Sequence, residues 1–295
     1  MTSPLALVKL TELMKRTSGN PEIKVGIIDG PVMTQHPNLM GEQLYEVSRS
    51  NSVRCTQANS MACLHGTFVA GILCAKRGSA APAICPDCSF LIRPLFAETT
   101  TSREPMPSAT PQALAIAIME CIDAGVRVIN LSLALAQPSN KGEHALEEVL
   151  NRAVRRGVIV VAAAGNQGTL GSSAITRHPW VIPVVACDGR GRPINESNLG
   201  SSIGRRGLSA PGDAITSLSA TSAPLTLSGT SVAAPFVTGT IALLWSEFPA
   251  ATAAQIKLAI SKPVTMQRAV LVPPLLDAAA AYQSLLTTNL RRSSA

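Results

Sequence analysis

The sequence predicts an α/β protein: a doubly wound parallel sheet with helices on both faces. Three observations point there. Short apolar runs such as IKVGIID at 23–29 read as buried strands. They alternate with stretches of helical spacing, which is the β-α-β order that a parallel sheet needs. Hydrophobic residues make up 46% and charged residues 15% of 295 positions, enough for one sizeable core. Residues 1–295 therefore read as a single domain, without internal repeats or a long linker.

The elements follow in chain order. The opening MTSPLALVKLTELMKR has Leu/Val spacing of a short amphipathic helix and no basic segment before an apolar one, so no signal peptide is expected. A cytoplasmic protein is the corresponding expectation. After the strand at 23–29, HGTFVAGILCAK (65–76) is helical through Val69, Ile72 and Leu73. SFLIRPL (89–95) is a strand, and the Ser/Thr/Pro-rich piece from Glu98 to Pro111 is a surface loop. A helix over 111–125 starts at Pro111 and ends at Gly125. Strands follow at 126–134, 158–166 and 180–186, with a helix over 142–157 that stops at Gly157. A long apolar helix covers 231–248, and helices at 252–261 and 275–286 close the chain. In such sheets ligands bind at the carboxyl ends of the strands.

Composition excludes two partners. The charge is +7, but basic residues are dispersed apart from Arg155-Arg156, Arg205-Arg206 and Arg291-Arg292. Aromatics are 3%, few for base stacking, so no nucleic-acid partner is expected. Mean hydropathy is +0.25, yet Gly, Ser, Pro or charge breaks every apolar run before the about 18 residues of a membrane span. No membrane partner is expected either.

Polar residues at the ends of apolar runs carry the chemistry. Asp29 ends the first strand, His65 opens a helix, and Ser231 opens the long helix. Acyl transfer needs a hydroxyl, a base in reach and a carboxylate that orients the base. Taken singly, each has an ordinary reading as turn, structural histidine or N-cap; the combination is specific. Asn166, after Ala-Ala-Ala-Gly, can offer an amide to an oxyanion, with the Ser231 N–H as second donor. The ordinary reading of Asn166 is a turn, and a turn is also what would present that amide.

VGIIDGPV, HGTFVAGI, VINLSLA, AAAGN and LSGTSVAAPFVTG resemble the motifs of the subtilisin-like serine proteases (subtilases), over residues 20 to 285. The chain order Asp, His, Ser is the known order of subtilisin. The resemblance implies that Asp29 orients the base, His65 is the base, Ser231 is the nucleophile and Asn166 is the oxyanion donor. It implies a peptide substrate, bound as an added strand along Ser132, Leu133 and Ala134. Ala163, Ala164 and Gly165 would form the opposite wall. It implies no cofactor. Phe68 and Phe236 stand where relatives have histidines, and Ala134 where glycine is usual; Pro235, within the first turns of the nucleophile helix, matches the family.

Many secreted relatives hold calcium in a loop after the His helix. The matching stretch, 76–83, has no carboxylate and no Asn, while calcium wants about six to eight oxygens; no metal is expected. Only 28 residues precede Asp29, so no inhibitory prosegment of family size is expected. Among seven cysteines, Cys74, Cys121 and Cys187 fall on apolar faces and read as buried thiols. Cys55, Cys63, Cys85 and Cys88 read as disulfide-bonded, with a zinc site as the rival and free thiols as a third reading. Finally, Asp29-Gly30-Pro31-Val32, His36-Pro37 and the run from Phe90 to Phe96 resemble the leader-processing subtilases of cyanobactin biosynthesis. That branch implies cleavage of a ribosomal precursor peptide; a general intracellular degradative protease and a non-catalytic peptide-binding module are the alternatives.

Overall fold

A computed structural model describes residues 3–39, 43–46, 54–96, 98, 109–133, 143–221, 223–261 and 270–293. Two short helices, α1 (Pro4–Leu7) and α2 (Thr11–Arg16), precede β1 (Lys24–Asp29) and β2 (Leu44–Glu46). Helix α3 (Met61–Cys74) leads to β3 (Ser89–Pro94), and α4 (Pro111–Asp123) to β4 (Val128–Leu131). Then come α5 (Glu143–Arg156), β5 (Ile159–Ala163), α6 (Ala174–Arg177) and β6 (Ile182–Cys187). The remainder is α7 (Ser201–Arg206), β7 (Leu208–Pro211), the β8 (Ile215–Ser217) and β9 (Leu225–Leu227) hairpin, α8 (Thr230–Glu247), α9 (Ala253–Ile260) and α10 (Ala278–Ser293).

Seven strands form one parallel sheet in the order β2-β3-β1-β4-β5-β6-β7. Alternation along each strand splits the core into two layers. Val25, Ile27, Val128, Ile159 and Val161 pack with Phe68, Val237 and Trp245, from α3 and α8. Ile28, Ile129, Leu131, Val160 and Ala162 pack with Leu114, Ile118, Leu146 and Val149, from α4 and α5. Helices on both faces bear out the doubly wound expectation.

Some elements differ from the sequence reading. His65 does not open its helix: α3 begins at Met61, where the Ser60 hydroxyl caps it by accepting from Cys63 N at 3.2 Å. β4 ends at Leu131, so Ser132 and Leu133 lie beyond the strand. β2, β7 and the β8–β9 hairpin, only three or four residues each, were too short for a periodic signal.

Candidate active site

The site lies where adjacent strands β1, β4 and β5 end and α8 begins. Asp29 is the last residue of β1 and is fully buried. Its Oδ1 accepts from the Gly30 N–H at 2.6 Å and pairs with His65 Nδ1 at 2.7 Å. Two glycines make that contact possible. A Cβ on Gly66 would stand 2.4 Å from the Gly30 carbonyl oxygen, and one on Gly30 would stand 2.1 Å from that of Ala62. Only bare backbone lets α3 cross β1 this closely.

His65 Nε2 lies 3.0 Å from Ser231 Oγ, so a single line runs Asp29–His65–Ser231. His65 is 7% exposed. Burial pulls its pKa down, but the Asp29 charge and hydrogen bond outweigh burial and hold it above the usual 6.5.

Asn166 follows β5 at an exposed position. Its Oδ1 accepts from Thr230 N at 2.8 Å and Thr230 Oγ1 at 2.9 Å. Because a backbone N–H can only donate, the amide orientation is fixed and Nδ2 is turned away from Thr230. Gly229, at φ +138°, carries the chain past this amide; a Cβ there would stand 3.0 Å from Asn166 Nδ2. The Ser231 N–H sits in the first turn of α8, where no intrahelical acceptor exists. Asn166 is thus held against the first residue of α8, next to Ser231 in the chain.

The two segments expected to flank a peptide are backbone held by side chains. Leu133 is buried, and the Ser132 hydroxyl donates to the Ser231 carbonyl at 2.7 Å rather than facing the cleft. Ala134 lies outside the described residues. On the other wall Gly165 N donates to Thr230 Oγ1 at 3.1 Å, and the Asn198 amide donates to the Ala164 carbonyl at 3.3 Å. Ala163 ends β5. The sequence reading passed over Asn198, whose Oδ1 also accepts from Gln167 N and Thr169 N at 3.0 and 3.1 Å. Its only sequence signal was a polar loop, ESN, before Leu199. Phe68 and Phe236 are fully buried core residues.

Calcium does not fit the stretch 76–83. The Arg77 guanidinium there donates to the carbonyls of Met14, Thr17 and Ile84 at 2.6, 2.9 and 3.1 Å. This cationic side chain ties three backbone carbonyls from outside the stretch together. The cysteines also resolve differently from the four-residue reading. Cys55 and Cys63 are disulfide-bonded, whereas Cys85 and Cys88 are buried thiols. Helix α3 separates the pairs: Cys63 sits in its first turn, while Cys85 N donates to the Leu73 carbonyl at its far end. A zinc site drawn from all four is thereby excluded. Cys55, Cys63 and Glu98 do cluster, but the two sulfurs are bonded to each other. Cys74, Cys121 and Cys187 are buried thiols as expected; burial pushes Cys121 and Cys187 up to about 12.

Comparison with known proteins agrees with this geometry. The subtilase family (peptidase S8) matches residues 20–274. Subtilisin DY of Bacillus licheniformis is 30% identical over 267 residues, 88% of this chain and 90% of its own. Among solved structures, the prenylagaramide maturation protease PagA superposes with a TM-score of 0.79 at 28% identity, covering 94% of this chain and 98% of its own. The patellamide maturation protease PatA gives 0.74 at 30% identity, over 91% and 98% of the two chains. The PatG macrocyclase in complex with peptide shares the fold at 21% identity, with a TM-score of 0.80 and coverage of 94% and 95%.

Proposed function

We propose a mechanism and a substrate class from one premise: the chain belongs to the subtilase family of serine proteases. It hydrolyses peptide bonds through Asp29, His65 and Ser231, within one peptidase domain. The observation that carries this reading is the unbroken line from a buried carboxylate through His65 to the Ser231 hydroxyl, with spacings of 2.7 and 3.0 Å.

The substrate extends between 132–134 and 163–165, pairing with backbone as an added strand. His65 Nε2 takes the Ser231 proton as Oγ attacks the scissile carbonyl carbon. The oxyanion forms against Asn166 Nδ2 and the Ser231 N–H. The Asp29 carboxylate steadies the imidazolium, which returns the proton to the leaving amine. Water, deprotonated by the same base, then releases the acyl group from Ser231. No metal or other cofactor enters the reaction.

The substrate we infer is a ribosomal precursor peptide, cut at its leader or recognition segment. The support is the likeness to PagA and PatA, both maturation proteases, together with the motifs around Asp29 and His36. We place the reaction in the cytoplasm. Five of the seven cysteines are thiols, which suits a reducing compartment; the Cys55–Cys63 bond is the exception. Among the described residues no helix is long and apolar enough to cross a membrane.

The test is labelling with a fluorophosphonate. The wild type labels at Ser231, and Ser231→Ala does not. A folded wild type that resists the probe would overturn the hydrolytic reading and favour a peptide-binding module. Cleavage profiling on a peptide library then separates a precursor-specific enzyme, with one sharp motif, from a degradative one.

A further inference from the structure

The Ser231 carbonyl has a missing partner. In an α-helix the carbonyl of residue i accepts from the N–H of i+4. For Ser231 that residue is Pro235, which lies inside α8 and has no N–H. The Ser132 hydroxyl supplies the absent donor at 2.7 Å. Behind it stands a buried chain: Asn130 Nδ2 donates to Ser132 Oγ at 2.8 Å, and Thr238 Oγ1 donates to Asn130 Oδ1 at 2.9 Å. Asn130, Ser132 and Thr238 are 0%, 1% and 0% exposed.

The direction of every bond in this chain is forced from one end. A carbonyl can only accept, so Ser132 must spend its one proton on Ser231. Its oxygen must therefore receive from Asn130, which turns Nδ2 toward Ser132 and Oδ1 toward Thr238. Oδ1 can only accept, so Thr238 must donate. The bonds run head to tail and polarise one another in a dry interior. They also close a loop through α8, since Thr238 lies two turns beyond Ser231 on the same helix.

We infer that Thr238, acting through Asn130 and Ser132, is a positioning residue for the Ser231 nucleophile. The relay ties the end of β4, one wall of the proposed peptide cleft, to the first turn of α8. It thereby fixes the distance between the bound carbonyl carbon and Oγ. Reaction rate is steep in that distance: a displacement of about 1 Å can cost about 10²-fold. This inference rests on Ser231 being the nucleophile, and the test separates the two claims.

The measurements are kcat and KM on one peptide substrate, the fluorophosphonate labelling rate, and the melting temperature. Thr238→Val keeps the volume and removes the hydroxyl. We expect kcat and the labelling rate to fall about tenfold, as a fraction of an ångström lost in positioning would give. KM stays within about twofold, since backbone binding is untouched, and Thr238→Ser restores both rates. If Thr238→Val fails to fold, Ser132→Ala asks the same question at the other end of the relay. Where both fold, the double variant decides: a single relay makes its loss equal to that of Ser132→Ala alone. Wild-type rates in folded Thr238→Val, or losses that add, overturn the inference. Failure of the wild type itself to label is different, because it removes the nucleophile reading on which the relay depends.

Discussion

The two sides of the cleft hold their active atoms by opposite means. On the base side, Asp29 and His65 form a buried pair in which a charge does the orienting. On the oxyanion side, Asn166 is exposed and neutral, and a backbone N–H and a hydroxyl of Thr230 hold it in place. A charge must be buried to act strongly at short range, and burying it couples its side of the cleft to pH. A neutral amide needs only a fixed orientation, so that side is indifferent to pH. On the proposed roles, the base side would set when the site works and the oxyanion side how fast.

The largest expected break is His65→Ala, which removes the base outright. Hydrolysis should fall by about 10⁴-fold or more with the melting temperature little changed. Activity within tenfold of wild type would exclude His65 as the base.

Asp29→Asn leaves a neutral partner and should cost about 10⁴-fold in kcat. It also sharpens the pH contrast. The base must be neutral to work, so wild-type kcat/KM is full above the His65 pKa, which lies above 6.5, and is lost as pH falls through it. Without the Asp29 charge one of the two raising influences is gone and burial still opposes protonation, so the acidic limb should move to lower pH and the residual activity should persist there. An acidic limb that stays in place would show that Asp29 does not set it.

On the oxyanion side, Asn166→Ala should lower kcat with little change in KM. The expected cost is about 2.7–4 kcal/mol, a range measured on subtilisin itself. Asn166→Asp should be as damaging or worse, since a carboxylate would face developing negative charge. If Asn166 only shapes a turn, Asp is tolerated and stability falls instead; near-normal kcat in the Asp variant sinks the oxyanion role. Asn166→Ala, which changes no charge, should not move the acidic limb.

The smallest effects concern charge used as scaffold. Arg77 joins three carbonyls beside a stretch that offers no carboxylate, so EGTA should leave the melting temperature unchanged. Arg77→Ala should lower it by about 2–6 °C, and added calcium should not restore it. A large drop with EGTA alone would reveal a cation site elsewhere.

The base side was legible in the sequence because its residues end or begin apolar runs and carry close-approach glycines, Gly30 and Gly66, next to them. Asn166 was legible for the same reason. The side-chain roles of Ser132, Asn198 and Thr238 were not. Each depends on a partner 99, 34 or 108 positions away, and no local pattern announces such a meeting. Spacing also misgrouped the cysteines, because nothing local shows that α3 holds Cys63 and Cys85 at opposite ends. The parallel sheet was implied by alternation, but not its strand order, and edge strand β2 is too short to announce itself.

The sequence distances within the site also set a timetable. Asp29 and His65 are 36 positions apart, whereas His65 and Ser231 are 166. Helix α8 packs on β4, β5, β6 and β7, so it has no seat until those strands are in place. A chain made at about 5–20 residues per second carries His65 for about 10–30 s before Ser231 is added. Parallel pairing between distant strands then adds its own delay. On the proposed roles the hydroxyl arrives last, so a half-made chain would lack its nucleophile, and proteolysis would wait until α8 is seated on the finished sheet.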